Sequence, residues 1–299
     1  MSPTTALRAA IGDYPHTRAL KAGQIPSDLL ALDFAAVAPV NRAFAPMVRE
    51  LAFDVSELAI ATFLQAKACG KPIVLLPVVL AQRFQEAALL CRTDSALSGP
   101  ADLRGKRVGV RAYSQTTGMW LRGILGDSYG VPADSVRWIT FEGAHVREID
   151  DPPGVERAPA GADMMAMLQT GEVDAVIAGN DVPDDPALRT VFPDPAEAGR
   201  AFQSQYGLVP PNHLLTVKRD LADSRPDLVA ELLRVVAASF AADSPNGGGR
   251  PLPFGLQAVR PGVDLALRFA EAGGLLPRPL APEELWEGLP EPIWTMELA

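Results

Sequence analysis

The sequence predicts an α/β protein. Short apolar runs with strand character alternate along the chain with segments whose apolar residues recur at helical spacing. Polar turns sit at several strand-to-helix transitions, where open α/β sheets bind their ligands. The length of 299 residues and the apolar content of 48% are enough to fill the cores of two ordinary domains.

The first strand is read at residues 6–12, ALRAAIG, ending at Gly12 and Asp13, with a turn and a short helix in DYPHTRALKAG. Residues 29–38, LLALDFAAVA, give a second strand. Over 41–52, Phe44, Val48 and Leu51 recur at helical spacing, and Pro46 is tolerated in a first turn. FDVSELAIATFLQAKACG opens as a brief strand and turns helical from Ser56, whose hydroxyl is placed to cap it, with Ala59, Phe63 and Ala66 along one face. PIVLLPVVL is a further strand or strand pair. Near residue 90 the pattern changes to a loop, a one-turn helix, the strand RVGV and the helix TTGMWLRGIL.

SVRWITF at 135–141 reads as a strand, MMAMLQTG at 164–171 as a helix stopped by Gly171, and EVDAVIAG at 172–179 as a strand. Residues 181–200, rich in Pro and Asp, read as loop. HLLTVKRD at 213–220 is again a strand, and RPDLVAELLRVVAASFAADS a strong amphipathic helix. SPNGGGRP reads as a flexible surface loop, VDLALRFAEAGG as a helix, and the end of the chain as a Pro-rich tail. The middle block, roughly 92–210, reads as an insertion between two halves of another domain, with re-entry near HLLTVKR giving two crossings at a hinge; one larger α/β domain is the alternative.

Several function classes are excluded or disfavoured by composition. The 36 acidic residues outnumber the 27 basic ones, for a formal charge of -9, which argues against a nucleic-acid surface. No apolar run approaches the about 20 residues a membrane span needs. Cys69 and Cys91 make no disulfide framework and are expected to be reduced thiols. The N-terminal stretch has no export-type apolar segment, so a cytoplasmic location is expected. His16, His145 and His213 have no metal-ligand spacing to one another or to the cysteines, and neither a GxGxxG nor a P-loop pattern occurs. No cofactor and no metal is therefore expected.

The candidate binding residues lie in the polar turns. In VGVRAYSQTTGMWLRGIL, Thr116 and Thr117 stand at a helix start, where unpaired N–H groups favour an anion. Arg122 lies one turn beyond Gly118 and can reach back towards that start. Tyr113 is suited to stack on a flat ligand or to donate a phenolic hydrogen bond. Trp120 is read as pocket wall or core. Arg83 follows an apolar run and is suited to bidentate carboxylate recognition. Glu57 in FDVSEL serves either the positive end of the following helix or a ligand.

These segments resemble the 4,5-dihydroxyphthalate decarboxylase family. The resemblance is carried by GDYPHTRAL (12–20), FDVSELAIATF (53–63), LLPVVLAQRF (75–84), DLRGKRVGVRAYSQTTGMWLRGILGDSYGV (102–131), GEVDAVIAG (171–179) and YGLVPPNHLLTVKR (206–219). It implies a two-lobed fold like that of type 2 periplasmic binding proteins, with a discontinuous first lobe, 1–91 and 213–299, an inserted second lobe, 92–212, and a ligand cleft between the lobes. It also implies non-oxidative loss of CO₂ from a hydroxylated aromatic carboxylate. The positions it singles out are Pro77, Arg83 and Phe84, then Tyr113, Thr116 or Thr117, Trp120, Arg122 and Gly123, and finally His213. Arg83, Arg122 and the Thr116–Thr117 helix start would hold the substrate carboxylates. His213 is the first choice for the acid that protonates the ring carbon, because a free imidazole titrates near neutrality. Asp13, Tyr14 and His16 are alternatives. The partner expected is a small aromatic or organic carboxylate, with neither nucleic acid nor membrane, and homo-oligomerisation is left open. The competing reading is a non-enzymatic binding protein for a small organic anion.

Overall fold

The computed structural model describes residues 4–179, 182–243 and 252–294. The flexible loop expected at SPNGGGRP, residues 244–251, lies outside the described residues. The chain divides into two compact units, Met1–Ala81 with His213–Pro261 and Leu280–Ala299, and Gln82–Asn212 with Gly262–Pro279. It therefore crosses between units four times, at 81/82, 212/213, 261/262 and 279/280, where the sequence reading placed two crossings. The first boundary also lies earlier than 91/92.

In chain order the strands and helices are β1 (Thr5–Ala10), α1 (Arg18–Lys21), β2 (Leu30–Phe34), α2 (Phe44–Glu50), β3 (Val55–Ala59), α3 (Ile60–Ala68), β4 (Ile73–Gln82), β5 (Leu89–Arg92) and β6 (Arg107–Val110). Then follow α4 (Thr116–Tyr129), β7 (Arg137–Thr140), β8 (Glu156–Arg157), α5 (Met164–Thr170), β9 (Ala175–Ile177), β10 (Leu188–Thr190), α6 (Pro195–Tyr206), β11 (Pro211–Lys218), α7 (Arg219–Ser224), α8 (Pro226–Asp243), α9 (Leu256–Ala272) and α10 (Glu291–Trp294).

Unit 1 is built on a five-stranded sheet ordered β2-β1-β3-β11-β4. β1 runs parallel to β2 and β3, while β11 runs antiparallel to β3. β11 therefore begins at the edge where β1 and β3 end. All five residues of β3 are buried, and the middle of β4 is a continuous apolar run, as expected of strands covered on both faces. Ser56 does not cap a helix. It is a buried strand residue paired opposite Thr216, and α3 starts only at Ile60, after an Ala59 N-cap with no side-chain bond.

Unit 2 carries a six-stranded sheet ordered β10-β5-β9-β6-β7-β8, with β9, β6 and β7 parallel. Leu90, Ile139, Leu168, Val173 and Val176 form a core against it. The span read as loop at 181–200 contains β10 and the start of α6. Asp194 caps that helix by accepting from the Glu197 N–H, and Pro195 opens its first turn.

The segment Gly262–Pro279 joins unit 2 because α4 is shaped to receive it. A Cβ on Gly123 would lie 2.0 Å from Phe269 Cδ2, so only glycine admits that ring. Trp120 meets Phe269 edge to face at 5.7 Å between centroids. The Tyr113 hydroxyl donates to the Gly273 carbonyl at 2.8 Å. Helix α9 passes from one unit to the other at Pro261, which stands inside it.

Candidate active site

In unit 1 the chemistry-bearing residues converge on Glu57. Side chains two apart on a strand share a face, so Glu57 and Ala59 point the same way. The antiparallel register sets His213 opposite Ala59 and Leu215 opposite Glu57, which makes Glu57 and His213 diagonal neighbours on that face. The distance from His213 Nδ1 to Glu57 Oε1 is 2.6 Å. The turn after β1 adds two more donors. Gly12 N–H donates to Oε2 at 2.8 Å and the Tyr14 hydroxyl to Oε1 at 2.6 Å. Glu57 is 0% exposed, so these groups replace its hydration.

The local sequence explains why Tyr14 reaches that oxygen. A Cβ on Gly12 would lie 2.7 Å from Tyr14 Cε2, so the ring folds back over a position only glycine leaves open. The Tyr14 N–H donates to Thr17 Oγ1 at 2.9 Å, and Thr17 Oγ1 donates to the Gly12 carbonyl at 2.8 Å. His16 stacks on the Tyr14 ring, 5.1 Å between centroids and 5° between planes, and meets Phe240 edge-on at 4.7 Å.

These contacts set the protonation states. Burial, with the Glu57 charge and hydrogen bond added, raises the Tyr14 phenol far above its ordinary value, so it remains a donor. Burial lowers His16, and its Nε2 is enclosed without a partner among the described residues. An ionised Glu57 only accepts, so the Nδ1 facing it carries the hydrogen. In that tautomer Nε2 is the ring nitrogen turned away from Glu57. The His213 side chain is 17% exposed and its ring is braced edge-on by Phe44, 5.1 Å away.

Asp13, a candidate acid by sequence, stands apart from this cluster. Its side chain is exposed and ion-paired with Lys21. Glu57 was read as a helix-end or ligand residue; instead it is a strand residue whose oxygens are occupied by protein donors.

In unit 2 the strands β6 and β9 end beside the start of α4. Arg83 donates from Nη2 to Thr117 Oγ1 at 2.8 Å. Half-burial lowers the Arg83 guanidinium from its ordinary value, and no carboxylate pairs with it among the described residues. The Arg83 carbonyl accepts from Gln85 Nε2 at 2.7 Å, which also donates to Asn212 Oδ1 at 2.9 Å. Gln85 and Asn212 escaped the sequence reading; for Asn212 the available signal was its place next to His213 in β11. Thr116 and Thr117 are buried first-turn residues of α4, whose N-cap is Gln115.

The other three residues of the α4 motif are interior. Trp120 is fully buried and its indole N–H donates to the Pro211 carbonyl at 2.9 Å. Tyr113 is buried on the Gly273 carbonyl. Arg122 is 2% exposed, donates to the Tyr113 carbonyl at 2.6 Å, and lies 3.8 Å from the centroid of the Tyr113 ring and 5.3 Å from that of Trp138. Aromatic faces compensate its charge. Its Nη2 braces the turn, while Nε and Nη1 are enclosed with no hydrogen-bond partner among the described residues.

Among the described residues no group of three or more His, Cys, Asp or Glu gathers as a metal site, and no helix is long and apolar enough to cross a membrane. Cys69 and Cys91 form no disulfide.

Over 248 residues the chain is 30% identical to a 4,5-dihydroxyphthalate decarboxylase of Comamonas testosteroni, a match that covers 79% of this chain and 74% of the relative. Among solved structures it is similar to the periplasmic aliphatic sulphonate binding protein SsuA of Escherichia coli, with TM-score 0.50, 15% identity, and 95% and 82% of the two chains covered. It is also similar to the desulfurization enzyme DSZB, with TM-score 0.50, 18% identity, and 96% and 97% covered. No family model matches the chain. The fold is the α/β fold of type 2 periplasmic binding proteins, as the sequence predicts.

Proposed function

The chain belongs to the 4,5-dihydroxyphthalate decarboxylase family, and from that premise we propose that it is a cofactor-independent carboxy-lyase acting on a hydroxylated aromatic carboxylate. The observation that carries this reading is the Glu57–His213 pair. A buried carboxylate holds Nδ1 and leaves Nε2 directed away from it, which is how an imidazole is prepared as a general acid.

A ring hydroxyl ortho or para to the departing carboxylate raises electron density at the carbon that bears it. His213 gives its Nε2 proton to that carbon. The bond from carbon to carboxylate then breaks, CO₂ leaves, and the electron pair of that bond restores the aromatic ring. The balance is one aromatic carboxylate and one proton giving one arene and one CO₂. Solvent returns the proton to Nε2. Glu57 stabilises the imidazolium before transfer and holds the ring orientation throughout. Arg83, half-buried and paired only with a hydroxyl among the described residues, is the candidate anchor for a substrate carboxylate.

A non-catalytic receptor for a small organic anion is the second reading, favoured by the fold likeness to SsuA. Incubation with a panel of hydroxylated benzoates and phthalates, with CO₂ and mass loss followed together, separates the two. Turnover that His213→Gln abolishes supports the carboxy-lyase. Saturable binding across the panel without CO₂ release overturns it.

A further inference from the structure

Two donors meet on one oxygen of Glu57. Tyr14 and His213 each approach Oε1 at 2.6 Å, while Gly12 N–H takes Oε2. We propose that Tyr14 is a positioning residue that sets the acidity of His213 through the Glu57 oxygen they share. The inference rests on the carboxy-lyase reading for its consequence but not for its test.

The physical argument starts from the carboxylate. A hydrogen bond from the phenol stabilises the anion, so Glu57 is a weaker base and attracts the Nδ1 proton less. The proton stays on the imidazole, and the imidazolium is less stabilised than it would be beside a carboxylate that Tyr14 did not share. Nε2–H is correspondingly more acidic. The phenol cannot take over the proton itself, because burial and the adjacent carboxylate hold it protonated. His16 supplies the flat platform on which Tyr14 rests, and its own burial disfavours a second positive charge there. The six residues from Gly12 to Thr17 thus act as one device. Gly12 leaves the space, Thr17 ties the turn, His16 supports the ring, and Tyr14 delivers the hydroxyl.

The other charged groups around the pair act at one remove. Asp13, held by Lys21, acts on Tyr14, and Asp243 at the end of α8 acts on His16. From α2 the contact is the apolar ring of Phe44. Glu57 and Tyr14 therefore dominate what His213 experiences.

The test is Tyr14→Phe in the full chain, which keeps the ring stacked on His16 and removes only the hydroxyl. The His213 imidazole is titrated by NMR, with its signals assigned by their loss in His213→Gln. The expected result is an upward shift of about one pH unit, with Nδ1 still protonated. A purely structural Tyr14 lowers stability and leaves the titration where it was, and an unmoved or lowered titration overturns the proposal. His16→Phe preserves the stacked ring and should leave the His213 titration nearly in place; a shift as large as that of Tyr14→Phe would overturn the assignment to the hydroxyl. Should the wild-type chain release no CO₂ from any substrate while Tyr14→Phe still shifts the titration, the coupling stands and the carboxy-lyase reading falls.

Discussion

Replacing Glu57 by glutamine is the most demanding check on the active-site geometry. The amide keeps the size of the carboxyl group but exchanges one acceptor oxygen for a donor NH₂. Three donors converge on Glu57, two at Oε1 and one at Oε2. The better of the two amide orientations keeps its oxygen towards Tyr14 and His213 and turns NH₂ against the Gly12 N–H. Leaving that buried donor unpaired costs about 1–3 kcal/mol, and the two retained bonds lose the strength that a charged acceptor gave them, so a total near 3 kcal/mol is expected. Urea denaturation reads this as a lower midpoint with an unchanged slope. The imidazolium of His213 also loses its counter-ion, so turnover should fall about 100-fold or more and the alkaline limb of the rate profile, where the acid loses its proton, should move to lower pH. Glu57→Gln with stability within about 0.5 kcal/mol of wild type and an unshifted profile would refute the three-donor carboxylate as the foundation of this site.

Other perturbations address separate parts of the molecule. Arg83→Lys exchanges a planar fork for a point charge, and should raise KM for the carboxylate about 10-fold with a smaller effect on kcat, measured by steady-state CO₂ release. Gly123→Ala forces a Cβ into the Phe269 ring and should cost about 1–3 kcal/mol or more, seen as a lower Tm. Glu86 is buried, and that burial, only partly offset by the backbone amides of Glu86 and Gln85, raises its carboxyl above the ordinary value. The unfolded chain releases that proton at lower pH than the folded one, so this group makes stability decline as pH rises past the unfolded value. Glu86→Gln should flatten that decline in denaturation series from acid to neutral pH, and an unchanged slope would count against the buried acid.

The longer strands were legible because their apolar runs are bounded by turn residues, and the helix at 164–171 because Gly171 ends it; the short β5, β8 and β10 were not. The start of α3 was misplaced for a physical reason. Ser56 ahead of an apolar stretch looks like a cap, but pairing with β11 draws Val55–Ala59 into the sheet, and that partner strand is about 160 residues away in sequence. Local pattern carries no information about it. Helix α6 was missed although its signal was present, since Asp194, Pro195 and Glu197 make an N-terminal signature inside a stretch that bulk Pro and Asp content marked as loop. Residues 262–279 show the opposite limit. The helical pattern was read correctly, but only the cavity that Gly123 leaves for Phe269 says which unit the segment completes.

The same distinction separates the two kinds of residue within the candidate site. His213 and Glu57 can be paired from register alone once β3 and β11 are neighbours, because strand periodicity fixes which side chains share a face. Arg122 could not be placed that way. Its helical spacing leaves open whether the guanidinium faces solvent or the interior, and the decision is made by Tyr113, Trp138 and the segment around Gly273, which enclose it. The most recognisable motif of the chain, Tyr113 to Gly123, is in large part a packing motif: Tyr113, Trp120 and Arg122 hold the α4 turn and the 262–279 segment in place. The less conspicuous Gly12–Thr17 turn meets the buried carboxylate. The arginine that looks suited to an anion in sequence therefore serves the turn through its Nη2, while Arg83, with a hydroxyl as its side-chain partner, is the less buried of the two cations.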